Sequence, residues 1–228
     1  MYTPPMFRPD RGASLGFAQA RGFGTVCAWN GNMPIASSLP FVLTSAGDGT
    51  PLAAFHVARG NPLAGLADAR ASWLLAVNGA DAYVSPHWYA SPDQVPTWLY
   101  QAVHLSGPVR VMTGQELADH LEALSAKFES WLAPKPPWTL GEMTAGRREA
   151  LKQAIVGLVM TVEGIEGSFK LNQHKSDADH VAIADALALQ TDADSQHLAD
   201  LTDYHLCTHR VGVLRCIGQR LGDHEVRD

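Results

Sequence analysis

The spacing of apolar and polar residues changes character twice along this chain. From Phe23 to Met112 the apolar positions come in short runs divided by turn residues. FGTVCAWN is rich in strand formers and ends at Asn30-Gly31, a strong short-range hairpin signal. It predicts a partner strand in MPIASSLPFVLT, with Pro34 and Pro40 marking an edge or a bend. Gly47-Asp48-Gly49 predicts a second turn, leading into PLAAFHVA. Asn61-Pro62 opens a short helix-like stretch, PLAGLADAR, and SWLLAV, ADAYVS, TWLYQAVHLSG and PVRVMT supply further strands. Many short strands with frequent turns predict a barrel or sandwich.

After Met112 the period becomes helical. Thr113-x-x-Glu116 is a capping box, and Leu117, Leu121, Leu124, Phe128 and Leu132 fall on one helical face before Pro134, Pro136 and Pro137 end the pattern. Thr144 to Ile155 predicts a second helix. IVGLVMTVEGIEGSFKLNQ returns to strand, with Gly164 and Gly167 as turns or bulges. Ser176-x-x-Asp179 predicts the cap of a third helix through Leu189, and Asp194 to Arg215 a fourth, before a charged tail from Gly222. The expected class is α+β, mainly β: a barrel over residues 1–190 with inserted helices, and a C-terminal helix and tail over 191–228 packed on it.

Composition narrows the function. The chain has 228 residues, 46% of them apolar, which is enough to build a core without a metal or disulfide. Seventeen Lys and Arg against 23 Asp and Glu leave a net charge of −6, which argues against direct DNA binding through phosphates. Cys27, Cys207 and Cys216 are widely spaced and read as free thiols of a cytoplasmic protein. MYTPPMFRPDRG has no apolar run of the secretory kind, and the longest apolar run, AIVGLVMTV, is too short for a membrane span. Walker A, Rossmann and nucleophile-elbow motifs are absent. His205 and His209 have zinc-compatible spacing, but without the Glu of H-E-x-x-H they read as an ordinary helix, and no metal is expected. The acid-rich stretch from Asp177 to Asp194 reads as a solvated helical face. Arg147, Arg148 and Lys152 form the one dense basic patch on a predicted helix.

Candidate chemistry gathers at strand ends. FHVARGNP places His56, Arg59 and Asn61 around a turn. Ser85, His87, Trp88, Tyr89, Thr97, Trp98, Tyr100 and His104 crowd the segment from Tyr83 to Gly107, where Pro86, Pro92 and Pro96 interrupt regular pairing. Lys170 and Gln173 follow the last strand. Aromatic walls, hydroxyls and a few cations are what a flat aromatic ligand with a phosphate requires. Each residue alone has a plainer reading, as core or interface aromatic or surface charge.

YVSPHWY, VPTWLYQAVHLSG, HVARGNPL and GIEGSFKLNQHKSDAD, with the opening MYTPPMF, together resemble the PaiB family over residues 1–190. That family is described as FMN-binding negative transcriptional regulators with a flavin-binding split-barrel fold. The resemblance implies a six-stranded split barrel, a homodimer, and FMN in a groove at the subunit interface. It maps the cofactor-binding positions to His56, Arg59, Asn61, Ser85, Trp88, Tyr89, Thr97, Trp98, Tyr100, His104, Lys170 and Gln173. The chain departs from the family pattern at Ser38, at Leu99 and at Asn172 and His174, and the first two are expected to remove polar groups from the pocket. A flavin-dependent oxidoreductase without an evident substrate, and a protein acting through protein or DNA contacts alone, remain alternatives. The charge balance makes one prediction: in 150 mM salt, gel retardation of duplex DNA should show weak binding at best, and a tight complex with a steep salt slope would contradict it.

Overall fold

The computed structural model describes residues 1–210, without the side chains of Ala69 and of residues 204–210. The readings placed on His205, Cys207, His209, Arg215, Cys216 and the tail from Gly222 lie outside the described side chains. Among the described residues there are seven strands: β1 (Phe23–Trp29), β2 (Pro34–Ser45), β3 (Pro51–Ala58), β4 (Asp68–Val84), β5 (Thr97–Val111), β6 (Ile155–Thr161) and β7 (Gly164–Lys170). The helices are α1 (Arg11–Arg21), α2 (Gly114–Ser130), α3 (Ala145–Gln153), α4 (Asp177–Ala188) and α5 (Ala193–Arg210). Strand order is β4-β1-β2-β3-β6-β5-β7, and β5 pairs with β4 as well, so six strands close into a ring and β7 extends from β5. The expected α+β split barrel is therefore observed.

Registers follow from the turn chemistry. The β1–β2 hairpin runs from Trp29 opposite Pro34 to Phe23 opposite Pro40. Its turn is held by Asn30, whose Oδ1 accepts N–H bonds from Asn32 and Met33, both 2.9 Å, while Gly31 takes φ 94°. Pro40 sits where β2 changes partners: residues up to Pro40 pair with β1 and those from Phe41 with β3. A residue without an N–H is tolerated where one ladder ends and the next begins.

Three elements depart from the sequence reading. SWLLAV and ADAYVS are one strand, β4, which runs straight through Asn78-Gly79. Its buried residues are Trp73, Leu75 and Val77, then Ala80, Ala82 and Val84, so the buried face shifts by one residue at that dipeptide and mimics a turn in the sequence. TWLYQAVHLSG and PVRVMT likewise form one strand, β5. α1 was not anticipated: Gly12 and Gly16 blur its apolar stripe, although Asp10 caps it through Ala13 N–H (2.7 Å) and Gly22 ends it at φ 58°.

The described chain divides into two compact units. The first holds Met1, residues 10–77 and residues 103–166. Its core includes Phe41, Phe55, Leu75, Leu105, Leu158 and Met160, all fully buried. Each such side chain contributes about 1.5–3 kcal/mol of apolar burial. Outside that core, Leu124 of α2 packs with Val42 and Ala54, flanked by Met112 and Phe128. α2 starts at the predicted capping box, whose Glu116 carboxylate also receives two bonds from Arg110, at 2.6 and 2.9 Å. Those donors hold the Glu116 carboxyl at about 2.

The second unit comprises residues 2–9, 78–102 and the described residues from Gly167 onward. Its core joins Ala80, Ala82 and Val84 of β4 and Leu99 of β5 to Leu171, Ile183 and Leu187, and to Leu198 and Ala199 of α5. The acidic stretch is not solvated throughout. Asp179 is buried and accepts bonds from Ser91 N–H (2.9 Å), Ser91 Oγ (2.8 Å) and Ser176 Oγ (2.9 Å). Burial alone would raise its pKa, but these donors outweigh it and the net shift is downward.

Two backbone predictions follow. A Cβ at Gly107 would stand 1.8 Å from the Thr161 carbonyl oxygen, whereas one at Gly47 would meet nothing within 4 Å. Gly107→Ala should lose roughly 3 kcal/mol or more by urea denaturation, and Gly47→Ala should stay within about 0.5 kcal/mol of the parent. Thr113→Ala, which removes the cap of α2, should cost about 1 kcal/mol in the same assay.

Candidate functional site

In the first unit, the strand-end residues His56, Arg59 and Asn61 take different roles. Arg59 donates Nε–H to the Gln153 carbonyl (2.7 Å) and Nη2–H to the Ile155 carbonyl (3.0 Å), and its own N–H bonds the Ala154 carbonyl (2.8 Å). This guanidinium clamps the junction of α3 and β6. Asn61 caps the 3₁₀ turn that follows it through Leu63 N–H and donates to Ser37 Oγ, both 2.9 Å. Ser38 is exposed and shares a 3.1 Å hydrogen bond with Thr25. His104 lies half-buried on β5, its pKa lowered by burial and by the N-terminal ammonium, with Glu166 opposing.

His56 meets a residue that the sequence reading passed over. His120 of α2 is 4% exposed, and its Nε2 lies 3.1 Å from His56 Nδ1. His120 Nδ1 is buried with no hydrogen-bond partner. An orphaned acceptor is less costly than an orphaned N–H. The favoured tautomer therefore puts the proton on His120 Nε2, which donates to His56 Nδ1 and leaves His56 with an Nε2–H to offer. Burial, and secondarily the charge of His56, holds His120 down at about 4, and burial lowers His56 as well. The signal was present: position 120 falls between Leu117, Leu121 and Leu124 on the apolar face of α2.

His56 forms part of the wall of a cleft of about 990 Å³. The remaining wall comes from α2 (Leu121, Glu122, Leu124), from the loop carrying Trp138, Leu140 and Met143, and from the α3 region. Of the basic patch read from the sequence, Arg148 and Lys152 line this cleft, while Arg147 is exposed and outside its lining.

In the second unit, four predicted residues build the frame. Ser85 caps a 3₁₀ turn through His87 N–H (3.3 Å). Trp88 and Tyr89 pack on the core, and Tyr89 Oη accepts from Asn172 Nδ2 at 3.1 Å. Asn172 is buried at φ 61°, a conformation asparagine tolerates better than most residues. Gln173 folds back, accepting Leu171 N–H (2.9 Å) and donating to the Phe169 carbonyl (2.5 Å).

The other four stand together on β5 and β7. Lys170 Nζ donates to Thr97 Oγ1 at 2.6 Å. Ser168 Oγ, unremarked in the sequence, donates to Tyr100 Oη at 3.4 Å. Trp98 is 52% exposed and meets Tyr83, itself 45% exposed, edge to face at 6.1 Å. Trp98, Tyr100 and Gln101 line a hollow of about 360 Å³ with Asn78, Gly79 and Asp81 of β4. Leu99, between Trp98 and Tyr100, turns into the core, so it takes no polar group from this hollow, contrary to expectation.

The histidine pair sets the sign of one pH effect. With folded pKa values below the unfolded 6.5, both imidazoles resist protons that the unfolded chain accepts. Stability is then full above about pH 6.5 and falls as the pH drops toward 4. His120→Gln should flatten this slope, by roughly 2–3 kcal/mol between pH 7 and 4, read from urea midpoints at each pH.

Comparison with known proteins agrees with this architecture. The sequence model of a family described as "Putative FMN-binding domain" matches residues 1–164. The Bacillus subtilis protein named protease synthase and sporulation protein PAI 2 is 30% identical over 204 residues, covering 89% of this chain and 97% of that one. The solved FAD and heme binding protein of Mycobacterium smegmatis superposes with a TM-score of 0.51 at 17% identity, over 71% of each chain, and shares the fold. With nearly three quarters of its length matched by the family and a near full-length relative beside it, the chain belongs to the PaiB family of FMN-binding split-barrel proteins.

Proposed function

We propose that this protein works as a homodimer whose bound FMN tunes negative transcriptional regulation, with the flavin seated on the Trp98–Tyr100 face of the second unit. One observation carries the reading: a half-exposed Trp98–Tyr83 aromatic pair, with Thr97, the neighbour of Trp98 on β5, bonded to Lys170 of β7. The donor set fits one side of the cofactor. Trp98 and Tyr100 offer ring surface in the hollow and Asp81 and Gln101 line it as hydrogen-bonding partners for hydroxyls, while Lys170 and Thr97, outside that lining on β7 and β5, offer a cation and a hydroxyl to a phosphate. When bound, FMN supplies reversible one- and two-electron chemistry. The chain's own part is to bind and orient it, since the hollow holds no paired acid and base.

The hollow is open on its far side, and aromatic area of this kind is characteristic of interfaces. A second copy would cover it, which supports the dimer. His56, Arg59, Asn61 and His104 belong to the other unit, and the proposal gives them to the frame and wall of the first unit. The Bacillus relative is named protease synthase and sporulation protein, and the link to sporulation supports a regulatory role. The net charge of −6 favours regulation through another protein over direct contact with DNA.

FMN titration should quench tryptophan fluorescence, and light scattering should give a mass near twice the 24.5 kDa monomer. Lys170→Met should weaken FMN by about 1.5–3 kcal/mol, the worth of a hydrogen bond to a charged group. A monomer, or FMN affinity indifferent to both Lys170→Met and Trp98→Ala, would remove this reading.

A further inference from the structure

The cleft beside His56 has the size of a small-molecule site, and FMN is a poor match to its walls. Its apolar lining is chiefly aliphatic: Leu121, Leu124, Leu140, Met143, Leu151 and Ile155, with Trp138 as the one aromatic residue. Unbranched and branched aliphatic side chains adapt to an alkyl or compact aryl body, whereas a flavin ring asks for flat walls and a hydrogen-bonding edge. At about 990 Å³ the space is that of a small-molecule site.

Charge in the cleft is asymmetric. Arg148 and Lys152 stand four residues apart, on one face of α3, and both line the cleft. Glu122 is the single carboxylate of the lining, and Lys152 also pairs with Glu149 at 3.1 Å. Arg148 makes one long bond, from Nη1 to the Leu140 carbonyl at 3.4 Å, so most of its donors face no fixed partner in that contact. A planar fork of this kind matches a carboxylate.

A second feature, independent of charge, is the buried histidine pair. His120 is sealed beneath His56 and occupies its Nδ1, so the imidazole at the cleft wall is held in one orientation with one edge left. Both rings stay neutral near pH 7, because burial lowers them. A fixed neutral N–H donor in the wall that also carries two cations can bond an acceptor atom of a ligand without adding charge to the cleft.

We propose that this cleft is a second small-molecule site, distinct from the flavin seat, that binds a hydrophobic carboxylate, its acid group on Arg148 and Lys152 and its apolar body along α2 and the Trp138–Met143 loop.

The test uses the full-length protein and needs no variant to begin. Calorimetric titration with laurate, below its micellar range, should show one site per chain, and dodecyltrimethylammonium, with the same tail and opposite charge, should bind at least tenfold more weakly. Arg148→Ala should weaken laurate about tenfold, while Arg147→Ala should leave it unchanged. Saturating FMN should not alter the laurate affinity. Equal binding of both amphiphiles, no binding of laurate, or competitive displacement of laurate by FMN would each overturn the proposal, the last by making the cleft the flavin site.

Discussion

Backbone pairing along β5 constrains the rest of this molecule. This one strand of 15 residues pairs with β4, β6 and β7, and only its bond to β4 turns a row of strands into a ring. Ring closure removes the free edges that an open sheet would expose. It also demands close approach of main chains. At Gly107 a side chain of any size would collide with the Thr161 carbonyl, and at Gly24 with the Ala76 carbonyl, where a Cβ would stand 2.7 Å away. Glycine at these two places is a packing requirement of the closed ring.

The same strand connects fold to chemistry. Residues that alternate along β5 divide their labour by parity: Leu99 enters the core of the second unit, while Trp98 and Tyr100 face the hollow. The aromatic crowding between Tyr83 and Gly107 thus has two causes. Trp88 and Tyr89 are there to cover a core, and Trp98 and Tyr83 are there to present surface. The prolines of the connection keep its backbone out of regular pairing.

The inserted helices serve a different purpose. α2 lays Leu124 against Val42 and Ala54 and carries His120 down onto His56. A buried imidazole with one orphan nitrogen costs stability, and here it fixes the ring that walls the cleft. α3 then sets two cations along that cleft, and the Arg59 clamp on the Gln153 and Ile155 carbonyls holds the end of α3 in place.

By itself, the sequence determined what depends on local spacing: the Asn30-Gly31 hairpin, the capping box at Thr113, the helices after it, the α+β class, and through long motifs the family. It could not tell that SWLLAV and ADAYVS are one strand, because a one-residue shift in the buried face of a continuous strand gives the same pattern as a break. Nor could it tell which polar residues of a motif face a ligand. Arg59, Ser85 and Gln173 are spent on main-chain partners, Asn61 on the Leu63 N–H and the Ser37 hydroxyl, and His56 on a histidine 64 positions away. Those choices belong to tertiary structure, since a polar side chain's role is set by which donor or acceptor the folded chain brings within about 3 Å of it.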